Sequence, residues 1–409
     1  MKVVHLALTD GGGAGMGMMN QHHALRAMGI DSRVVVAQKR TADPWVAAMQ
    51  PNLHLWGRSR VMRLLQRAAC RWGICFNDYD RWHHRIYQVR RKHPADFSQP
   101  CSQYDVLQHP WVVEADIVNL HYVSGILDWP TFFGQVRQPV VWTLRDENPG
   151  LGGFHYEEAL RRCGAPYAAL EEAFIGVKRR ALRQCRHLHL VSLSHLMQQF
   201  CARVDFLAER PNSLIPNALS PENYRPVHRD EARMRLRLQP DDRVLAFVSC
   251  HLAEERKGLA LLLQAMRLLG DDRLTLLCVG RGEVADAGPA RVVNLGPMPD
   301  SGALSSVYAA ADAFVNASSQ ESFGKTVVEA LYCGTPVVST PTGIAPEIID
   351  SSNGVLCPQR TPEALAEAIG EVLRRSYSSS DIRRKAVEQF SPQGVAARYA
   401  QLYQSILQA

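Results

Sequence analysis

Nineteen residues in the middle of the chain, Ala208–Pro226 (AERPNSLIPNALSPENYRP), carry four prolines, and on either side of them the same pattern starts afresh. Proline lacks a backbone donor and interrupts helices and strands, so the run reads as a linker. Before it, Lys2–Thr9 (KVVHLALT) reads as a buried parallel strand and Asp10–Gly17 as a glycine-rich turn. Met18–Met28 reads as a helix closed by Gly29, and Ser32–Ala37 as a second strand. Asp116–Leu120, Val140–Leu144 and His187–Val191 are further strand candidates. After the linker, Val244–Val248, Leu274–Val279, Ala313–Ala317 and Pro336–Ser339 read as strands, with helices at Leu259–Leu269 and Val327–Tyr332. Strands alternating with helices imply parallel, doubly wound sheets. The expected fold class is α/β, with two Rossmann-like domains facing each other across a cleft, where such sheets bind ligands. The expected bounds are 1–206 for an acceptor-side domain with a basic insertion at about 57–93, 207–218 for the hinge, 219–390 for the second domain, and 391–409 for an amphipathic helix crossing back to the first. A chain of 409 residues is too long for one ordinary core and suits two domains of about 200.

The charge is local. Gly57–Lys92 holds ten Lys/Arg against Asp78 and Asp80, while the whole chain carries only +6. Within Arg58–Phe76, Val61, Leu64, Leu65 and Ala68 share a helical face, with Arg60, Arg63, Arg67 and Arg71 around them and Trp72 and Phe76 extending the apolar side. Such a segment suits the interface of an anionic membrane surface, or packs on the first sheet with its arginines snorkelling. Its aromatics are not interleaved as stacking platforms, so no nucleic acid is expected. Asp78-Tyr79-Asp80 is a D-x-D without a strand–helix frame and reads as solvated. The second strand ends without the acidic residue that a dinucleotide ribose would want. No apolar run approaches the ~18–20 residues of a membrane span, and the first residues lack the make-up of a signal peptide. The expectation is a cytoplasmic protein, with a peripheral position on the inner membrane face as an option. The ten cysteines form no C-x-x-C and no zinc spacing with histidine, so buried free thiols and no metal are expected.

The chemistry concentrates in Ala313–Pro346 (AFVNASSQESFGKTVVEALYCGTPVVSTPTGIAP). Glu321 follows a strand, and Ser322-Phe323-Gly324-Lys325-Thr326 opens a helix that carries Glu329. The backbone N–H groups of a helix start suit a phosphate, and Gly324 lets a ligand approach the backbone. Glu329 could accept from a ribose diol and Glu321 from sugar hydroxyls. The segment resembles the E-x7-E signature of the family 4 retaining glycosyltransferases. The resemblance continues in Gly12-Gly13-Ala14, Ala115–His121 (ADIVNLH), Ile215-Pro216-Asn217, Arg256-Lys257-Gly258, Gly280 and Gly282, and Phe390–Leu407. It implies the GT-B fold and a hexosyltransferase of bacterial polysaccharide assembly. It also implies a UDP- or GDP-sugar donor, a glycan or lipid-linked acceptor, retention of configuration, and no cofactor or obligatory metal. Donor contacts would come from Gly12, Gly13, Gly280, Ser322, Phe323, Gly324, Lys325, Thr326 and Glu329. Catalytic roles would fall to Glu321, Arg256, Lys257, Arg145 and His121, with the cations stabilising the departing diphosphate.

Two departures matter. Ser249-Cys250-His251 stands where the family has a Gly-Arg-Leu turn, which leaves Arg256 as the substitute. Arg145, in WTLRDE, stands where related sequences place a histidine against the donor sugar. Arg145 then contributes a cation, pairs locally with Asp146, or yields its role to His121 or His155, or activity is impaired. The alternatives are a GT-B epimerase or phosphorylase, or a non-catalytic sugar-nucleotide-binding protein.

Overall fold

A computed structural model describes the chain except for residues 52–60, 62, 63, 66, 67, 70, 71, 76 and 299. It divides into two compact units. Unit 1 comprises Met1–Leu193, Met197–Ile215 and Ala396–Ala409, and unit 2 comprises Ser194–Leu196 and Pro216–Val395.

Unit 1 is built on a seven-stranded sheet: β1 (Lys2–Thr9), β2 (Asp31–Gln38), β3 (Val46–Ala48), β4 (Ile117–Leu120), β5 (Val140–Thr143), β6 (Leu188–Ser192) and β7 (Asn212–Leu214). Its order is β3-β2-β1-β4-β5-β6-β7, with every pairing parallel. Parallel strands are covered on both faces and so read as continuous apolar runs; all four residues of β4 and of β5 are buried. Trp142 of β5 is fully buried, with Trp129 5.0 Å and Phe133 5.7 Å away between ring centres. Truncating such a side chain to alanine costs about 3–5 kcal/mol.

Helix α1 (Gly12–Ala27) begins six residues before the expected Met18, so Gly13 lies in a helix, while Gly12 at its first position keeps the left-handed conformation of a turn (φ 70°). The glycine that the packing demands is Gly15, where a Cβ would come within 2.6 Å of the Thr9 and Asp10 backbone. Helix α2 (Asp78–Arg90) frames the D-x-D differently from expectation. Asp78 is solvated and ion-paired to Arg81 at 3.2 Å, but Asp80 is buried, because the first turn of α2 faces inward. Most of the expected Arg58–Phe76 helix lies outside the described residues; Val61, Leu64, Leu65 and Ala68 within it are helical.

Unit 2 carries a six-stranded parallel sheet: β8 (Arg243–His251), β9 (Leu274–Arg281), β10 (Arg291–Asn294), β11 (Ala313–Asn316), β12 (Val337–Ser339) and β13 (Gly354–Leu356). The order is β10-β9-β8-β11-β12-β13. The strand order therefore reverses between β8 and β11, and sheets of this kind bind ligands beyond the carboxyl ends of strands at that point. Helices α3 (Leu259–Leu269), α4 (Ser301–Ala310), α5 (Lys325–Tyr332), α6 (Pro362–Arg374) and α7 (Ser379–Phe390) cover it. The last helix, α8 (Pro392–Gln408), buries Val395, Ala396, Tyr399, Ala400 and Tyr403 along one face. From Ala396 onward it counts with unit 1, where the Tyr403 hydroxyl accepts from Asn119 Nδ2 at 2.6 Å and Gln21 Nε2 at 3.0 Å. The proline-rich segment is largely tied down, with β7 inside it and Leu219 N–H donating to the Phe390 carbonyl at 3.0 Å.

Candidate active site

The loop after β8 and the loop after β11 meet at the switch point of unit 2. Gly258, in the left-handed conformation (φ 76°), ends a short turn at Glu255–Lys257 and starts α3. A Cβ there would sit 2.1 Å from the Ala317 carbonyl oxygen, so only glycine admits this approach. The Arg256 carbonyl accepts from Ser319 N–H at 2.8 Å. Arg256 and Lys257 thereby reach Glu321. Lys257 Nζ donates to Glu321 Oε1 at 2.6 Å, the Ser318 hydroxyl donates to the same oxygen at 2.9 Å, and Arg256 lies 3.3 Å from Oε2. Arg256 also pairs with Glu254 at 2.6 Å. Gly343 (φ 57°) backs this loop, with room for no side chain against the Phe323 carbonyl.

Burial opposes ionisation of Glu321, but Lys257 and Arg256 outweigh it and hold the carboxyl at about 2. At neutral pH it is an anion, so it cannot serve as a general acid. Both cations arrive already paired with carboxylates, and the cluster is not the open cationic cradle that Arg256-Lys257 suggests in the sequence.

A second cluster surrounds Glu329 on α5. Its Oε1 accepts from the Tyr224 hydroxyl at 2.6 Å and pairs with Lys325 at 2.8 Å, and Oε2 accepts from the Tyr308 hydroxyl at 2.9 Å. Burial raises the carboxyl's pKa, and the Lys325 charge with these hydrogen bonds more than reverses that, leaving it below its ordinary value. A carboxylate offers about four acceptor positions, and the protein fills three of them. Gly324 (φ 86°) precedes α5 with no side-chain cap. Ser322 is buried, and its carbonyl accepts from the Ser194 hydroxyl at 3.1 Å. Phe323 turns inward onto Phe390, so it can offer a ligand only its backbone. Thr326 is half-buried in the first turn of α5. Gly280, the last residue but one of β9, has its Cβ position 2.1 Å from the Ser249 carbonyl.

In unit 1, Arg145 and His121 are together and buried. The guanidinium donates to His121 Nδ1 at 3.0 Å through one terminal nitrogen and at 3.3 Å through Nε. Arginine only donates, so His121 Nδ1 accepts and its Nε2–H donates to His5 Nδ1 at 2.9 Å. His5 Nε2–H then donates to the Ser32 hydroxyl at 3.1 Å, and that hydroxyl is hydrogen-bonded to His22 Nδ1 at 2.8 Å. One arginine thus fixes two tautomers. Burial, followed by the neighbouring charges, drives His5 and His121 well below their ordinary pKa, so His121 is neutral and supplies no cation. Burial pulls Arg145 down to about 10, which leaves it charged at neutral pH. Asp146 pairs instead with His155 Nδ1, at 2.5 Å. Gly12 and Gly13, at the start of α1, have nothing among the described residues within 4 Å of where a Cβ would stand.

Sequence reasoning missed Tyr224, Tyr308 and Ser318, which buttress the two glutamates, and the Lys178 clamp on residues 148–151. Lys178 is buried and donates to the Asn148 and Leu151 carbonyls at 2.6 and 2.8 Å. A lysine within an apolar helical stripe, Ala168–Gln184, was the available signal.

Residues 242–375 match the family described as "Glycosyl transferases group 1". They contain β8 through α6 and with them Arg256, Lys257, Glu321 and Glu329. A D-inositol 3-phosphate glycosyltransferase from Segniliparus rotundus is 30% identical over 198 residues, covering 45% of this chain and 42% of the relative. The chain thus spans less than half the length of that curated relative. Among solved structures, a sucrose-phosphate synthase from Thermosynechococcus elongatus aligns over 99% of both chains with a TM-score of 0.66 and 18% identity. HepE from Anabaena, solved in complex with UDP and glucose, aligns over 99% of this chain and 100% of its own, with a TM-score of 0.65 and 17% identity. These likenesses establish the fold as GT-B, two parallel-sheet α/β domains.

Proposed function

We propose that the chain is a retaining hexosyltransferase that moves a sugar from a UDP- or GDP-sugar to a glycan or lipid-linked acceptor, without an obligatory metal. The observation that carries this reading is the junction of Arg256, Lys257 and Glu321 at the β8/β11 switch point. When the bond between the anomeric carbon and the diphosphate breaks, negative charge grows on the leaving phosphate oxygen. Lys257 and Arg256 are placed to receive it, and a preorganised donor in such a site is worth about 3 kcal/mol. The anionic Glu321 orients both cations and can accept a hydroxyl of the transferred sugar. The Gly324 turn and the start of α5 supply backbone donors for the diphosphate. The match to group 1 glycosyl transferases and the likeness to a protein solved with UDP and glucose support a nucleotide-sugar donor. The test is a thermal-shift panel of UDP, GDP, ADP and CMP, followed by NMR of the product anomer. Stabilisation by UDP or GDP and a product with the donor's anomeric configuration are expected. An inverted product refutes retention, and indifference to all four nucleotides refutes a nucleotide-sugar donor.

The acceptor side of the proposal rests on the basic segment. Val61, Leu64, Leu65, Trp72 and Ile74 are all more than half exposed, Trp72 at 87%. Apolar side chains in water beside a run of arginines in the sequence suit an anionic lipid surface. No helix among the described residues is long and apolar enough to cross a membrane.

A further inference from the structure

The hydrogen-bonded line that starts at Arg145 ends at His22, and its last atom is left without a partner. His22 is completely buried, its Nδ1 is engaged by Ser32, and its Nε2 has no hydrogen-bond partner among the described residues. A buried polar atom without a partner asks for an explanation, a water or an ion among them. Nε2 points towards Asp43 Oδ2, 3.9 Å away, and the same oxygen lies 2.7 Å from His23 Nε2. Neighbouring side chains on a helix normally diverge by about 100°. Here the two rings stand only 5.1 Å apart and converge on one carboxylate. The three ligand atoms all lie within 4.8 Å of one another.

We propose that His22, His23 and Asp43 form a binding site for a divalent transition ion of the zinc class. Two imidazoles and a carboxylate match the preference of such ions, with a further position left for water. Ligand atoms about 2.0–2.1 Å from a zinc ion stand about 3.3 Å apart at tetrahedral angles. The 3.9 Å gap closes, and the 2.7 Å contact opens, by about half an ångström each. The supports are in place: Asp43 Oδ1 accepts from Trp45 N–H at 2.8 Å, and the Asp43 carbonyl accepts from Lys39 Nζ at 2.8 Å. Arg26, the nearest cation on the same helix, is drawn off, stacked over the Trp45 ring at 3.7 Å and paired with Asp31 at 3.8 Å. With metal on Nε2, the His22 Nδ1–H donates to Ser32, whose oxygen accepts from both His5 and His22. A metal-bound histidine characteristically donates its other N–H in this way. The site belongs to unit 1 and the Arg256–Glu321 cluster to unit 2, so its occupancy does not depend on the proposed donor chemistry.

The test uses the full chain stripped with chelator and titrated with Zn²⁺ against a chromophoric competitor, and with Co²⁺ by absorption. One equivalent should bind, raise the melting temperature, and give cobalt d–d bands without thiolate charge-transfer bands, which excludes the exposed Cys250 as a ligand. His23→Gln, at an exposed position, and Asp43→Asn, which keeps the oxygen that accepts from Trp45 N–H, should each weaken binding at least tenfold, and His22→Gln should abolish it. Unchanged stoichiometry and affinity in His23→Gln and Asp43→Asn, or no binding of either ion at micromolar concentration, would overturn the proposal and leave water as the partner of His22.

Discussion

Replacing Glu321 by glutamine removes one charge and almost no volume. The side chain is only 11% exposed, and its two oxygens hold Lys257, Ser318 and Arg256. Its carboxyl stands at about 2 against an ordinary 4.5. At about 1.4 kcal/mol per pKa unit, the ionised form contributes about 3 kcal/mol to folding. The folded pKa is the lower one, so this contribution is fully present above about pH 4.5 and drains away as the pH falls towards 2. Urea unfolding should therefore find E321Q about 3 kcal/mol less stable than the parent at pH 7, with the difference shrinking to about half at pH 3. The same change leaves Arg256 with Glu254 and releases Lys257. If a diphosphate takes over about half of the lost interaction, UDP or GDP should bind about tenfold tighter by calorimetry, while turnover collapses. A stability difference that ignores pH would refute the ion-pair account. Weaker diphosphate binding would show that Glu321 does not compete with phosphate for these cations.

Three further outcomes follow from the same geometry. Lys257→Ala should lower kcat more than it raises donor KM, by about a hundredfold for ~3 kcal/mol, and EDTA should leave the initial rate unchanged; loss of activity restored by Mn²⁺ would return attention to Asp78 and Asp80. Glu329→Gln should lower stability by about 3 kcal/mol through the stranded Lys325 and the two tyrosines. It should also weaken diphosphate binding by the ~1.5–3 kcal/mol of a charge-assisted bond, and unchanged binding by calorimetry makes Glu329 a structural hub alone. The protein should sediment with anionic but not zwitterionic vesicles and come off in salt, at about 1 kcal/mol per cation. Arg60, Arg63, Arg67 and Arg71 changed together to Gln should abolish this and spare donor binding, whereas indifference of the parent to anionic vesicles at low salt makes the segment a packed helix.

What the sequence made legible was whatever local pattern decides. The strands that were expected stand within a residue or two of their places, apart from β8, which runs three residues further to His251, because parallel strands buried on both faces must be continuous apolar runs. The short edge strands β3, β7, β10 and β13 escaped, since three or four residues carry no period. Gly13 was misplaced in a turn because glycine penalises a helix interior, while Gly12 does hold a turn conformation at φ 70° and the close approach at the helix start falls on Gly15. Within the site, the E-x7-E spacing drew attention to both glutamates but said nothing about their partners. Tyr224 comes from the proline-rich run 105 residues upstream of Glu329, and Lys257 lies 64 residues from Glu321. These contacts depend on β8 and β11 being neighbours in the sheet, which no local signal records. The histidine line is a still clearer case. His5, His22 and His121 look like unrelated residues on two strands and a helix, yet the register Leu6↔Leu120 and Val3↔Ser32 brings them to hydrogen-bonding distance. Because Arg145 is a pure donor at its end, the protons of His121 and His5 are assigned, and His22, at the far end, is left with an Nε2 that has no hydrogen-bond partner among the described residues.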